Sequence, residues 1–327
     1  MATRDTIVIG TSMGGIEALK NLAAQFQADL PATVLAVVHM SPNSPTVLDR
    51  ILGQACPLDV SFASDLGRIE SGSFLLAPPD RHLLVMDGKC RLSMGPKENM
   101  TRPAIAPLFR SAAVTRASRV IGVVLTGLLD DGTAGLSAIK RCGGLSVVQD
   151  PADAMYPDMP RNALESGVEI DHCLPLSGIG ALLQRLCREE APANPPIPQD
   201  LMLEVDISMD GFGSSDKVER LGRASSYVCP ECGGPLYEMT DDKVMRYRCL
   251  IGHAYTGESL LSEQGETVER ALGTAMRVLE ERAKLLDRLA NDQRRQGRRS
   301  TTDLEARSTD LKEQAQLIRK ALLSKRV

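Results

Sequence analysis

Gly10-Thr11-Ser12-Met13-Gly14-Gly15 follows directly on an apolar, β-branched run at residues 6–10 and leads into a helical pattern. Small neighbours let a serine stand on such a sharp strand-to-helix turn, where backbone amides at the helix N-terminus can receive an oxyanion. Acyl transfer through Ser12 is the chemistry this turn suits. The alternative use is pyrophosphate binding, which needs glycine at the first, third and sixth positions and an acidic residue about 20 positions further on. Ser12 occupies the middle glycine position, and the second strand ends in His39 rather than an acid. A nucleotide-binding oxidoreductase is therefore a distant reading. Taken alone, Ser12 is equally a helix cap, and a lone histidine at a strand end is more often a satisfied buried histidine than a base. Position favours catalysis: Ser12 follows the first strand, His39 ends the second, and Asp131 lies just past a strand at 119–127. The carboxyl ends of strands in a parallel sheet share one edge, so these loops converge. His39 would act as base toward the Ser12 hydroxyl, and Asp131 would hold the imidazole tautomer and stabilise its protonated form. Asp130 competes with Asp131 for the third role, and His82 and His172 compete with His39. The order Ser, His, Asp excludes the α/β-hydrolase arrangement.

The elements that must position these residues read as an α/β fold. Strands are expected at 6–10, 33–39, 73–77, 119–127 and 145–149, as apolar runs too continuous for a sheet with one wet face. Ile16, Leu19, Leu22, Ala23 and Phe26 recur at helical spacing, as do Leu136, Ile139 and Lys140. A doubly wound, mainly parallel, Rossmann-like sheet is expected over residues 1–187. Proline and acidic residues then displace the apolar periodicity, and 188–225 reads as a linker. A Cys-rich module follows at 226–257 and a helical region at 258–327. There, Val268, Leu272, Ala275, Leu279 and Leu286 mark one helix; Thr302 with Glu305, a capping-box spacing, opens a second.

Composition removes several classes. The 327 residues carry 38 basic and 42 acidic side chains, a net charge of −4, and only 3% aromatic residues with no Trp. Nothing global attracts nucleic acid, and base-stacking platforms are nearly absent. No apolar run approaches a membrane span, and the N-terminal apolar stretch is too short for a signal peptide, so a cytoplasmic protein without membrane insertion is expected. Residues 281–327 hold 13 Lys or Arg against 7 Asp or Glu. This is a solvated helix face or a docking surface for an acidic partner.

Six ordered stretches, VIGTSMGGIEAL, VVHM, LAPPDRHL, RPAIAPLFRSAA, GVVLTGLLDDGTAGL and DMPRNALESG, together resemble the catalytic domain of chemotaxis protein-glutamate methylesterases, the CheB type, over about residues 5–187. The resemblance implies hydrolysis of glutamate γ-methyl esters on the cytoplasmic helices of methyl-accepting chemoreceptors or a similar methylated signalling protein. Some members also deamidate glutamine. By motif, Ser12 is the nucleophile, His39 the base, Asp131 its orienter, and the Met13 and Leu128 backbone amides the oxyanion donors. Methanol leaves first, and water then cleaves the acyl-serine. No cofactor serves the chemistry. The sequence departs from the family at Leu129, where a glycine is usual, at Ala106, where Asp is common, and at Asp158, where Gly is usual. A left-handed φ at Leu129 would strain or reshape the oxyanion loop. Chemotaxis members carry a receiver domain before the catalytic strands, and this chain is expected to lack that switch.

Cys229-Pro-Glu-Cys232-Gly-Gly precedes Cys249-Leu-Ile-Gly-His253 by 16 residues. Two such knuckles can wrap one tetrahedral zinc through Cys229, Cys232, Cys249 and His253, a closed structural site in a ribbon too poor in apolar residues to fold alone. A redox C-x-x-C pair would leave Cys249 and His253 unexplained. Ribbon and helical tail are then a docking or dimerisation module, with a dimer formed through the C-terminal helices. Two functions are carried forward: a serine methylesterase, and a weakly active or silent methylesterase-like scaffold that acts through its zinc-helix tail.

Overall fold

The expected strands form, with two additions, one seven-stranded sheet. In the computed structural model, which describes residues 2–210, 215–240, 243–296 and 301–324, the first part of the chain runs β1 (Thr6–Thr11), α1 (Gly15–Ala23), β2 (Thr33–Val38), α2 (Leu48–Gly53), β3 (Asp59–Phe62), β4 (Ser73–Leu76), β5 (His82–Met86), β6 (Lys89–Ser93), α3 (Ile105–Arg116), β7 (Val120–Val124), α4 (Thr133–Arg141), β8 (Leu145–Gln149), α5 (Asp158–Glu165), β9 (His172–Leu174) and α6 (Leu176–Leu186). The sheet order is β3-β4-β2-β1-β7-β8-β9, and every pairing in it is parallel. It is doubly wound. Ile7 and Ile9 face a layer built from α1, α2 and α6, while Val8, Leu35 and Val37 face Leu108 and Phe109 of α3 and Leu136 and Ile139 of α4. Both faces are covered, which is why the strand sequences are apolar throughout rather than alternating.

The second part runs α7 (Gln199–Asp210), α8 (Ser215–Leu221), β10 (Gly222–Val228), β11 (Pro235–Met239), β12 (Arg246–Cys249), β13 (Ala254–Thr256), α9 (Gly257–Arg295) and α10 (Thr302–Ser324). The stretch read as a linker therefore carries two helices. Glu204, on the buried face of α7, is fully buried and paired with Arg246, so a charge sits where an apolar residue would have signalled the helix. β10 to β13 form an antiparallel four-stranded ribbon around Leu236, Tyr247, Cys249 and Tyr255.

Two compact units result, Met1–Leu260 and Leu261–Val327. Sheet and ribbon share the first. In the second, the two helices form an antiparallel pair in which the Ser308 hydroxyl donates to Asp287 at 2.6 Å, Lys312 pairs with the same Asp287 at 2.8 Å, and Arg319 pairs with Glu280 at 2.6 Å. α10 starts at Thr302, so the cap is Thr301, one residue earlier than expected, with its hydroxyl 2.9 Å from Glu305. No helix among the described residues is long and apolar enough to cross a membrane.

Candidate active site

β1 delivers Ser12 at its carboxyl end. Gly14, with φ 77°, takes the left-handed conformation that turns the chain into α1, and the Gly15 amide bonds the Ser12 carbonyl at 2.9 Å. The strand ends are tied to one another: the Ser12 amide and the Thr11 hydroxyl both donate to the Thr126 carbonyl, at 3.0 and 2.8 Å, and the His39 amide donates to the Thr11 carbonyl at 3.2 Å. Gly127 allows the closest approach, because a Cβ there would lie 2.8 Å from the Ser12 Cβ and 2.1 Å from the Met159 sulfur.

On this framework Ser12, His39 and Asp131 form a hydrogen-bonded line. Ser12 Oγ lies 3.1 Å from His39 Nδ1, and His39 Nε2 lies 2.8 Å from Asp131 Oδ2. An ionised Asp131 only accepts, so Nε2 carries the proton and Nδ1 is left to accept from the serine. Relative to the serine-protease arrangement the two ring nitrogens exchange places, and their roles follow the exchange. Asp131 is 3% exposed and also accepts from the amides of Ile105 and Gly132, at 2.8 and 2.9 Å, and from Asn99 Nδ2 at 3.0 Å. Burial alone would raise its carboxyl, but the bonds from His39, Ile105 and Asn99 outweigh burial and hold it below its ordinary value.

The rivals lie elsewhere. His82 is fully buried, accepts the Ala104 amide at Nδ1 and donates through Nε2 to the Pro96 carbonyl at 3.0 Å; burial pushes its imidazole down. His172 opens the edge strand β9. Asp130 takes the Thr256 hydroxyl at 2.7 Å instead of a histidine, and burial, with Asp131 beside it, pushes its carboxyl up to about 6.

The Met13 and Leu128 amides donate to no protein acceptor among the described residues. Leu129 has φ 60°, so a non-glycine residue holds the left-handed conformation at the position singled out for strain. The Asn162 side chain clamps its carbonyl at 2.8 Å. Ala106 is buried in α3 and Asp158 opens α5. A cleft of about 690 Å³ opens at Ser12 and His39, lined also by Met13, Ile16, Met40, Thr101 and Met155. Its rim is largely apolar, with Met13, Ile16 and Met155 exposed beside the carboxylate of Glu17.

Asn99 and Thr101, which touch Asp131 and His39, were not among the residues singled out by motif. Thr101 Oγ1 lies 3.3 Å from His39 Nε2. Their only signal was proximity to the RPAIAPLFR stretch.

In the ribbon, Cys229, Cys232, Cys249 and His253 bring one ligand atom each to within 4.8 Å of one another, a cluster that could hold a metal ion. The Cys232 and Cys249 sulfurs are 3.7 Å apart, and His253 Nδ1 lies 3.5 Å from the Cys249 sulfur and 3.7 Å from that of Cys229.

The Ser12–His39–Asp131 line sits at the carboxyl edge of a parallel, doubly wound sheet, and comparison with known proteins supplies the class. The CheB methylesterase family model matches residues 7–183, and the chain belongs to that family of protein-glutamate methylesterases. A Leptospira interrogans relative is 38% identical over 183 residues, 56% of this chain and 94% of that protein. Proteins named protein-glutamate methylesterase/protein-glutamine glutaminase from Anaeromyxobacter dehalogenans and Geobacillus kaustophilus are 37% and 36% identical, over 57% and 56% of this chain but only 52% and 54% of their own lengths. The crystal structure of the Thermotoga maritima CheB methylesterase catalytic domain superposes with a TM-score of 0.54 at 31% identity, covering 57% of this chain and all of that one.

Proposed function

We propose that the protein hydrolyses glutamate γ-methyl esters on helical segments of a methylated chemoreceptor, through an acyl-serine on Ser12. The observation that carries this is the Ser12–His39–Asp131 line, at 3.1 and 2.8 Å. His39 takes the serine proton as Ser12 attacks the ester carbonyl, and Asp131 stabilises the imidazolium that forms. The imidazolium returns the proton to methanol as it leaves, and His39 then activates the water that cleaves the acyl-serine. The Met13 and Leu128 amides are the donors for the oxyanion. The apolar rim suits an amphipathic helix laid across the cleft with its modified glutamate pointing in.

The cysteine cluster fits structural zinc. Four ligands bound at about 2.3 Å in a tetrahedron place sulfurs about 3.7–3.8 Å apart, the Cys232–Cys249 spacing of 3.7 Å. With all four positions taken by protein, such an ion supplies folding energy rather than chemistry.

Methanol release from a methylated chemoreceptor cytoplasmic fragment tests the function. Wild type should release it, and Ser12→Ala should lose about six orders of magnitude in kcat, as triad serine knockouts do. Equal, absent release from both proteins would favour the scaffold reading instead.

A further inference from the structure

Residues 98–101 form a loop with one side on the triad and the other on the ribbon. Asn99 Nδ2 donates to Asp131, and Thr101 Oγ1 sits beside His39. Facing the other way, the Glu98 carboxylate takes Arg248 of β12 at 3.0 Å, the Asn99 amide donates to the Ala254 carbonyl of β13 at 2.8 Å, and Met100 packs against the ribbon core. Asn99 and Met100 both have positive φ, 48° and 66°. Two successive non-glycine residues in the left-handed region need external fixing to stay there.

The fixing is specific at Asn99. Its Oδ1 accepts from the Thr256 amide at 3.0 Å and from the Ser259 hydroxyl at 2.8 Å. Two donors on the oxygen leave the amide nitrogen facing Asp131, since a flipped side chain would set oxygen against the carboxylate and its nitrogen against the Thr256 amide, which can only donate. Thr256 and Ser259 hold each other at the start of α9: the Ser259 amide donates to the Thr256 hydroxyl at 3.1 Å, and the Thr256 amide shares its proton between Asn99 Oδ1 and the Ser259 hydroxyl oxygen, at 2.9 Å from the latter. The Thr256 hydroxyl spends its own proton on Asp130, next to Asp131 in the chain. All of these groups are buried.

We infer that the ribbon is part of the catalytic scaffold: Thr256 and Ser259 are positioning residues that fix the Asn99 amide and, through it, the Asp131 carboxylate that orients His39. This rests on the triad reading above. It assigns the C-terminal extension a role in the turnover of the α/β domain, in addition to any docking role.

The test uses the full-length protein and compares Thr256→Val/Ser259→Ala, which removes both hydroxyls, with Thr256→Ser, which keeps one at each position. Two quantities are read: kcat and KM for methanol release, and the downfield imidazole N–H resonance that His39 shares with Asp131. The double variant should lose about 10- to 100-fold in kcat, the range for groups supporting a catalytic ligand or geometry, with KM within about twofold. Its downfield resonance should move or broaden, while Thr256→Ser keeps the wild-type resonance and rate. If the double variant does not fold, Ser259→Ala alone is read the same way, with a smaller loss. A folded variant with unchanged kcat and an unmoved resonance overturns the inference. Because the resonance needs no substrate, it decides the point even if the wild type proves inactive on methylated receptor, and the two readings fail separately.

Discussion

Asp130 and Asp131 are neighbours in the chain with opposite electrostatic fates. Asp131 is surrounded by donors that favour its charge, whereas Asp130, 6% exposed, meets one hydroxyl and a neighbouring carboxylate. With a folded pKa of about 6 against an ordinary 3.8, the folded state binds more protons than the unfolded chain between those values. The contribution of Asp130 to stability therefore falls as pH rises from about 4 to 6 and stays lower above it. Asp130→Asn removes that penalty and can still accept the Thr256 hydroxyl. Its denaturation free energy should exceed that of wild type by about 1–3 kcal/mol at pH 7.5, and the gain should vanish near pH 4, as read by urea unfolding at both values. At Leu129 the arrangement is different. There the left-handed φ of 60° is held by the Asn162 bond to its carbonyl, so the loop before Asp131 keeps a glycine-type turn without the glycine.

Between elements, α3, α7 and β12 meet at a buried cluster of charges. Glu98, before α3, and Glu204, on α7, share three arginines: Arg110 of α3 and Arg246 and Arg248 of β12. Burial would raise Glu98, but Arg110 and Arg248 outweigh it and hold its carboxyl down to about 2. Replacing Glu204 by Ala leaves three buried guanidiniums facing one carboxylate. It should destabilise the folded chain by about 3–5 kcal/mol in a denaturant titration, the usual cost of an uncompensated buried charge. This cluster also explains what the sequence hid. The parallel strands, their order around Ser12, and the placement of His39 and Asp131 were legible because strand ends in such a sheet converge whatever lies between them. The β5–β6 hairpin has a local signal, Asp87-Gly88, both at positive φ, in a two-residue turn between apolar runs. α7 was not legible, because its core-facing Glu204 acquires meaning only beside arginines about 40 residues or more further along or nearly 100 residues earlier. Asn99 was hidden for the same reason: its partners at 131, 256 and 259 share no local pattern with it.

At the scale of the molecule, the sheet and the ribbon lie in one unit, Met1–Leu260, so the Cys229, Cys232, Cys249 and His253 cluster and the Ser12–His39–Asp131 line belong to the same folded body. Tyr255, next to Thr256, packs in the same ribbon core as Cys229 and Cys249. Loss of metal should therefore reach the active site. Chelation, or Cys229→Ala, should lower zinc content and thermal stability and reduce methanol release together. A chelated protein with full esterase rate would count against a structural metal in this unit.

The order of these parts along the chain has a consequence during synthesis. Ser12, His39 and Asp131 all leave the ribosome well before Thr256, which follows Asp131 by 125 residues. At about 5–20 residues per second, that interval is roughly 6–25 s. A nascent α/β layer would carry Ser12, His39 and Asp131 yet lack the outer clamp on Asn99, so on the inference above the proposed hydrolysis would gain its full rate only after residues 256–259 emerge.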